Sequence, residues 1–194
     1  MDALVSGRVA RGLHSSTSMQ IRGFTLVEVL VAMAVLSSAT LGGVHLVAHA
    51  TRAMHVARLQ GTATLAASSR LDQLRSLRFE FDQDGQRVTD ASTDITVDPP
   101  APGGNGLAPG GPASLDGSVS GFVDFLDAAG AWVGSGPTAP RNAAFVRRWA
   151  IEAPGGPDLL VLQVLVRPIV NGPGAGRRQP GDARLVTARV RVQR

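Results

Sequence analysis

Apolar residues are concentrated between Phe24 and Val47, and this run predicts a helix that crosses a membrane. No proline interrupts it, and Glu28 is its only carboxylate. A helix needs roughly 20 apolar residues to cross a bilayer, and residues 24–47 exceed that length. A secretory signal peptide has a shorter apolar region, of roughly 7–15 residues, and has no need for an acid near its start. We therefore expect residues 24–47 to form a transmembrane helix.

The same helix is predicted to continue through residues 48–79 as an amphipathic stalk. Alanine, leucine, arginine, glutamine and methionine are common there, and all are good helix formers. Leucines recur at three-residue spacing on one side, at Leu71, Leu74 and Leu77. The arginines of the stretch are expected to reach solvent: Arg52, Arg58, Arg70, Arg75 and Arg78.

The remainder of the chain changes from an irregular region to alternating apolar and polar residues. Residues 80–118 are rich in glycine and proline, above all in the loop 98–113, and predict a connecting region without regular structure. Residues 119–194 predict an antiparallel β-sheet, with strands at 122–126, 145–152, 159–166 and 186–193. A loop is expected at 171–182. The fold class is α+β, with a long N-terminal helix packed on a small antiparallel sheet.

Composition narrows the chemistry that the chain can perform. All its basic residues are arginines, the formal net charge is +4, and there is no cysteine and no lysine. The missing cysteines exclude disulfides and thiolate metal sites, and the missing lysines exclude a P-loop and Schiff-base chemistry. No basic stripe with interleaved aromatic residues is present, so we expect no direct binding of nucleic acid.

Catalytic constellations are equally weak in the sequence. No histidine follows His55, so the globular part has no Ser-His-Asp arrangement. His45 and His49 have metal-ligand spacing, but no further ligand lies near them in the sequence. The carboxylate pairs are expected to be solvated acids of turns or of a short strand: Asp82 with Asp84, and Asp124 with Asp127. We expect no enzymatic activity, no cofactor and no metal.

Glu28 requires a physical explanation, because a carboxylate inside an apolar span costs about 2.5–3.5 kcal/mol on insertion scales. It could lie near the lipid headgroups or be protonated. Alternatively, cleavage between Gly23 and Phe24 would create a cationic amine, whose ordinary pKa is about 7.7–8.0. Two opposite charges about 4 Å apart attract by roughly 4 kcal/mol at an effective dielectric constant of about 20, which offsets the insertion cost.

The segment Gly23-Phe24-Thr25-Leu26-Val27-Glu28 resembles the prepilin processing site of type IV pilins and type II secretion pseudopilins. The resemblance implies that a prepilin peptidase removes the leader, residues 1–23, and that the Phe24 amine is N-methylated. It further implies that Glu28 pairs with the Phe24 amine of a neighbouring subunit during assembly. A pair within one helix, four residues apart, remains an alternative. The leader is longer than many such leaders, and Met19 is an alternative translation start.

The resemblance also implies a location and a set of partners. The chain would cross the bacterial inner membrane once, hold its globular part in the periplasm, and then enter a pilus or pseudopilus. Its partners would be prepilin peptidase, other pilin or pseudopilin subunits, an inner-membrane assembly platform and membrane lipid. Arg147-Arg148-Trp149 resembles the PilV-type group of minor pilins. The alternatives are a type II minor pseudopilin, a DNA-uptake pilus subunit, or a membrane-anchored periplasmic binding module that never polymerises.

Overall fold

The computed structural model describes residues 24–169 and 180–193, which fall into two compact units that divide between Val47 and Ala48. The predicted leader, with Gly23 and the alternative start Met19, lies outside the described residues, as does most of the predicted loop 171–182. One helix, α1 (Leu26–Ser76), contributes its first part to the first unit and its remainder to the second.

The first unit is the apolar part of α1, and its serine and threonine hydroxyls form hydrogen bonds within the helix. Ser37 donates a hydrogen bond to the carbonyl of Met33 at 2.7 Å, and Thr40 donates to that of Leu36 at 3.0 Å. Ser and Thr hydroxyls commonly bond back to a carbonyl one turn earlier, which leaves no unpaired donor on an apolar helix surface. The most apolar window of α1 has a mean hydropathy of 1.8, and none of it is buried within the chain.

Within the described residues, the second unit combines the rest of α1 with a short helix and ten strands in three sheets. The main sheet is antiparallel, in the order β6-β5-β7-β8-β9, and two small sheets have the orders β10-β1-β2 and β3-β4. The elements are β1 (Phe79–Phe81), β2 (Arg87–Thr89), β3 (Thr93–Asp94), β4 (Ala101–Pro102), α2 (Ala113–Asp116), β5 (Val123–Leu126), β6 (Trp132–Ser135), β7 (Phe145–Glu152), β8 (Leu159–Pro168), β9 (Ala183–Val190) and β10 (Val192–Gln193). The predicted α+β fold, a long N-terminal helix packed on small antiparallel sheets, is confirmed.

The core of the second unit lies between α1 and one face of the main sheet. Small side chains, Ala63 and Ala67, are completely buried on the helix and allow the strands to approach it closely. Leu71 and Leu74 are buried on the same side, and Leu77 packs partly against the core. Strands β7 and β8 contribute alternate residues, as expected for a half-covered sheet: Phe145, Trp149, Ile151, Leu160, Leu162, Val164 and Val166.

The final long strand turns its mixed face, rather than its valine-rich face, toward α1. Leu185 lies opposite the core residue Val164, and Arg189 donates a hydrogen bond to the Leu74 carbonyl at 3.3 Å. Val186 and Val190 point the other way and are exposed, at 57% and 63%. The register with β8 therefore decides which face is covered, because a shift by one residue would exchange the two faces.

Two charged side chains that were expected to be solvated are buried instead. Arg70, predicted to reach solvent, is 1% exposed, and Asp124, predicted to be an acid of a turn or short strand, is fully buried. Arg70 occupies the helix side that also carries Ala63, Ala67 and Leu74, so the helix turns it into the core. Asp124 lies within β5 and forms an ion pair with Arg70. Each charge therefore offsets the free-energy cost of burying the other.

Candidate functional site

The described chain begins at Phe24, and Thr25 caps the helix that follows it. The backbone N–H of Glu28 donates to the Thr25 hydroxyl at 3.2 Å, and the N–H of Val29 donates to the Thr25 carbonyl at the same distance. This is the first half of a capping box, in which a Thr at the N-cap satisfies the amide of a Glu three residues later. Thr25 was not among the predicted site residues, although the Thr-x-x-Glu spacing before an apolar run predicts such a cap.

Glu28 lies in the first turn of α1, where a negative charge is favoured by the helix dipole. Its residue is exposed, and within residues 24–169 and 180–193 no cationic side chain forms an ion pair with it. Phe24 is 80% exposed beside it. Gly23, the third predicted processing residue, lies outside the described residues.

A continuous apolar surface follows Glu28 along the helix. It is exposed on all sides, with the large side chains Leu26, Val27, Leu30, Met33, Leu36, Leu41, Val44 and Leu46 each more than half accessible. At about 1.5 Å per residue, residues 24–47 extend over roughly 36 Å, enough to cross the hydrocarbon core of a bilayer. A helix that is apolar all round must be covered by lipid or by other helices. This helix therefore fits a membrane anchor.

The second unit, which is the globular unit of the chain, contains a buried cluster of two arginines and one aspartate. Arg147 donates to both carboxylate oxygens of Asp124, from Nε to Oδ1 at 2.9 Å and from Nη2 to Oδ2 at 2.6 Å. Arg70 donates to the same Oδ2 and to the carbonyl of Ile95. A further bond joins Arg147 Nη1 to the carbonyl of Ala66 at 3.1 Å. The cluster thus fastens α1, the loop at residue 95 and two neighbouring strands to one another.

Trp149 completes this cluster, because the Arg70 guanidinium lies 4.5 Å from its ring centroid. A cation over an aromatic face is stabilised by the ring quadrupole, more so where water is excluded. Burial lowers the pKa of Arg70 to about 10, while the attraction of Asp124 raises it. That value is far enough above 7 to keep Arg70 charged at neutral pH. Buried, paired and hydrogen-bonded in this way, the three charged groups have a structural role.

The sequence contained a signal for this cluster. Arg147 is an even number of residues away from Phe145, Trp149 and Ile151. A strand at 145–152 therefore places its side chain on the same apolar face. Likewise Arg70 follows Ala63 and Ala67 at helical spacing. The predicted strand was correct, and only the consequence for its arginine was missed.

A third arginine holds the C-terminal segment in place. Arg191 is 6% exposed, and its guanidinium lies 3.9 Å from the Phe79 ring centroid. It donates to the carbonyls of Val88 at 2.6 Å and Glu80 at 3.0 Å, and to Asp158 Oδ1 at 3.0 Å. These bonds join β1, β2 and the turn before β8 to the end of the chain.

No part of the described chain combines these features into a catalytic arrangement. Among residues 24–169 and 180–193, no group of three or more histidine, aspartate or glutamate side chains is placed to hold a metal ion. His45, His49 and His55 all lie on α1, and each is exposed. The features that remain as a candidate functional site are the Thr25 cap, Glu28 and the exposed apolar surface at the start of α1.

Comparison with known proteins identifies that start. Residues 18–44 match the model of the prokaryotic N-terminal methylation motif, so the match covers Gly23, Phe24 and Glu28. Searches of curated proteins and of solved structures found no match. The motif and the apolar helix that contains it support a type IV pilin-like or pseudopilin precursor, and they point to a structural subunit anchored in a membrane. The motif does not distinguish a PilV-type minor pilin.

Proposed function

We propose that this chain is a minor pilin-like structural subunit that is processed after Gly23 and assembled through its N-terminal helix into a type IV pilus. The observation that carries the proposal is the exposed apolar helix α1, whose first turn contains an acid four residues after Phe24. Within the described chain, this acid has no cationic side-chain partner. A folded monomer leaves this surface uncovered. Lipid covers it before assembly, and the helices of neighbouring subunits cover it afterwards.

Removal of the leader creates the positive charge that Glu28 requires as a partner. Removal of residues 1–23 by prepilin peptidase exposes the Phe24 amine, which is then N-methylated and stays cationic. In a filament this amine meets the Glu28 carboxylate of a neighbouring subunit, so the pair fixes the axial register of two helices that otherwise make only non-directional apolar contacts. The expected attraction of roughly 4 kcal/mol at about 4 Å is enough to favour the paired register.

The globular unit belongs in the periplasm and then on the filament surface, and the assembly platform of the inner membrane inserts the subunit. A minor pseudopilin of type II secretion is the alternative, because both machines use the same processing motif. Deleting the gene distinguishes them: loss of surface pili with intact protein secretion supports the pilus, and the reverse supports the secretion system.

The first experiment measures the mature N-terminus in cells with and without prepilin peptidase. The chain contains no lysine, so an amine-reactive label modifies only its terminal amino group. We expect a chain that begins at N-methylated Phe24 only when the peptidase is present. Gly23→Val should abolish cleavage, and the control Gly43→Val, inside the helix, should not. An uncut chain in both strains would refute the proposal and favour an anchored binding module.

The second experiment asks whether Glu28 pairs within one subunit or between two. A carbodiimide joins an amine directly to a nearby carboxylate, and the terminal amine of Phe24 is the only primary or secondary amine in the processed chain. We expect covalent dimers and higher ladders whose linked peptides contain Phe24 and Glu28, and their absence in Glu28→Gln. A monomer that has lost only the mass of one water would show an intrachain pair and contradict the proposed register.

A further inference from the structure

Strand β9 lies at one end of the main sheet, and one of its long sides has no partner strand within the described residues. It is eight residues long and contains neither proline nor glycine. Its pairing with β8 is regular from Ala183 opposite Val166 to Val190 opposite Leu159. A long, regular, unprotected edge of this kind is a template on which another strand can pair.

The register shows which backbone groups face this open side. The N–H of Arg191 donates to the carbonyl of Asp158 at 2.9 Å, and these two residues are opposite each other in the continued ladder. In an antiparallel ladder, residues that exchange hydrogen bonds with the opposite strand alternate with residues that do not. Odd-numbered residues of β9 therefore bond to β8, whereas its even-numbered residues point their N–H and C=O groups outward: Arg184, Val186, Ala188 and Val190. The Ala188 carbonyl meets only the Thr187 hydroxyl, at 3.5 Å, the outer limit for a hydrogen bond.

The same even-numbered residues carry the exposed apolar side chains of the strand. Val186 and Val190 are 57% and 63% exposed, with Ala188 exposed between them. Single exposed valines are common on protein surfaces. Here, however, they accompany outward backbone donors and acceptors along one edge. This combination is used for strand addition, in which main-chain bonds give affinity and alternate side chains give specificity.

Charge indicates which strand fits. Arg184 and Arg189 are the charged residues of β9, and residues 183–190 contain no carboxylate. A second copy of β9 would bring two more guanidinium groups to the ribbon and no acid to balance them. We infer that the β9 edge accepts an extended segment of a different protein, in which valine-like residues alternate with acidic residues. This inference extends beyond the helix-mediated assembly and does not depend on leader processing.

Amide hydrogen exchange of the full-length chain in detergent micelles tests the inference residue by residue. In the free chain, the amides of Leu185 and Thr187 should be protected and those of Val186 and Ala188 should exchange rapidly. The probe is an acetylated and amidated octapeptide that alternates valine and glutamate. We expect it to slow exchange at Val186 and Ala188 by at least about tenfold, whereas a valine–arginine octapeptide should not.

Two variants and their matched controls separate the edge from the rest of the sheet. Ala188→Pro removes an outward N–H and leaves the ladder to β8 complete, a position where edge strands tolerate proline; Ala188→Thr retains that donor. Val186→Glu places a charge on the face where the partner's valines pack, and Val119→Glu places one on another exposed valine, at 42%. We expect Ala188→Pro and Val186→Glu to lose the protection, and the two controls to keep it.

Each outcome decides the inference. Protected Leu185 and Thr187 amides report that a variant is folded, and if Ala188→Pro does not fold, Val186→Glu decides alone. The inference is overturned if the valine–glutamate peptide protects neither edge amide, or if both peptides protect them equally. Protection that increases with protein concentration without any peptide would also overturn it, because β9 would then pair with a second copy.

Discussion

Replacing Asp124 by asparagine, which removes its charge and keeps its shape, should strongly destabilise the globular unit. The Asp124 carboxylate is fully buried and accepts hydrogen bonds from Arg147, through two nitrogens, and from Arg70. Asparagine has nearly the same shape but no charge, and its NH₂ group would face a guanidinium. Two buried cations would then remain with no buried anion between them.

The magnitude follows from that loss of compensation. Removing one partner from a buried ion pair costs about 3–5 kcal/mol, because the remaining charge stays buried and unpaired. Burial already lowers the pKa of Arg70 to about 10, which shows that its charged form is disfavoured even with Asp124 present. We therefore expect Asp124→Asn to lower the free energy of unfolding by about 3–5 kcal/mol, roughly 10 °C or more in melting temperature for a unit of this size.

Tryptophan fluorescence during urea unfolding in micelles measures this loss locally. The chain has only two tryptophans: Trp149 lies under Arg70, and Trp132 donates to the Thr96 carbonyl at 2.8 Å. Asp127→Asn is the matched control, because Asp127 is partly exposed and only accepts turn bonds that asparagine can also accept. A loss below about 1 kcal/mol for Asp124→Asn, equal to that of the control, would refute the reasoning.

A triple variant separates the loss of charge compensation from the loss of packing. Arg70→Met, Asp124→Val and Arg147→Met together replace the whole cluster by apolar side chains. Well-packed apolar replacements of buried ion pairs are often neutral or stabilising. We expect the triple variant to be more stable than Asp124→Asn. If it is less stable, the hydrogen bonds to Ala66 and Ile95 contribute more than the charges do.

The remaining predictions concern packing, the C-terminal segment and acid sensitivity. Ala67→Leu should cost about 1–3 kcal/mol by overpacking a fully buried position, whereas Leu65→Ala, at an exposed one, should change stability by less than about 0.5 kcal/mol. Arg191→Met should destabilise the sheet β10-β1-β2, measured as faster amide exchange at Val88. The Arg87 guanidinium holds the pKa of Asp158 below its ordinary value of 3.8. The stability that this contact contributes is therefore complete above about pH 4 and is lost as the pH falls through the lowered pKa. In Asp158→Asn, the urea midpoint should accordingly depend less on pH over that acidic range.

The helix and the strands could be predicted because their signals are local. An apolar run without proline predicts a helix from 24 onward, and alternation at 145–152 predicts a strand with one buried face. Both elements are present, as α1 and β7. The short strands between residues 79 and 102 were not predicted. Each has only two or three residues, too few to show an alternating pattern, so its existence depends on its partner. For β1, one partner is distant in sequence, since Glu80 pairs with Val192.

The buried charges could not be predicted in the same way, because their burial depends on where partners from other elements arrive. Arg70 and Asp124 are 54 residues apart. Helical spacing places Arg70 on the side of Ala63 and Ala67, but it does not show that an anion from another element meets it there. Side chains alternate between the two faces of a strand, and this alternation could have placed Arg147 in the core. Only the pairing of β5 with β7 shows that Asp124 lies directly opposite it. The orientation of β9 has the same origin, since its register with β8 turns Val186 and Val190 outward.

The apolar helix of residues 24–47 and the open edge of β9 differ in how well they can select a partner. The apolar helix of residues 24–47 gains stability from any apolar environment, because the hydrophobic effect is non-directional. Substitutions among apolar residues there should therefore alter membrane retention little and partner choice not at all. An open strand edge differs, because its hydrogen bonds fix direction and its arginines reject like charge. If the chain assembles as proposed, selection among subunits with similar helices would belong to the globular unit. Val186→Glu leaves the helix unchanged and should therefore alter which strand the β9 edge accepts.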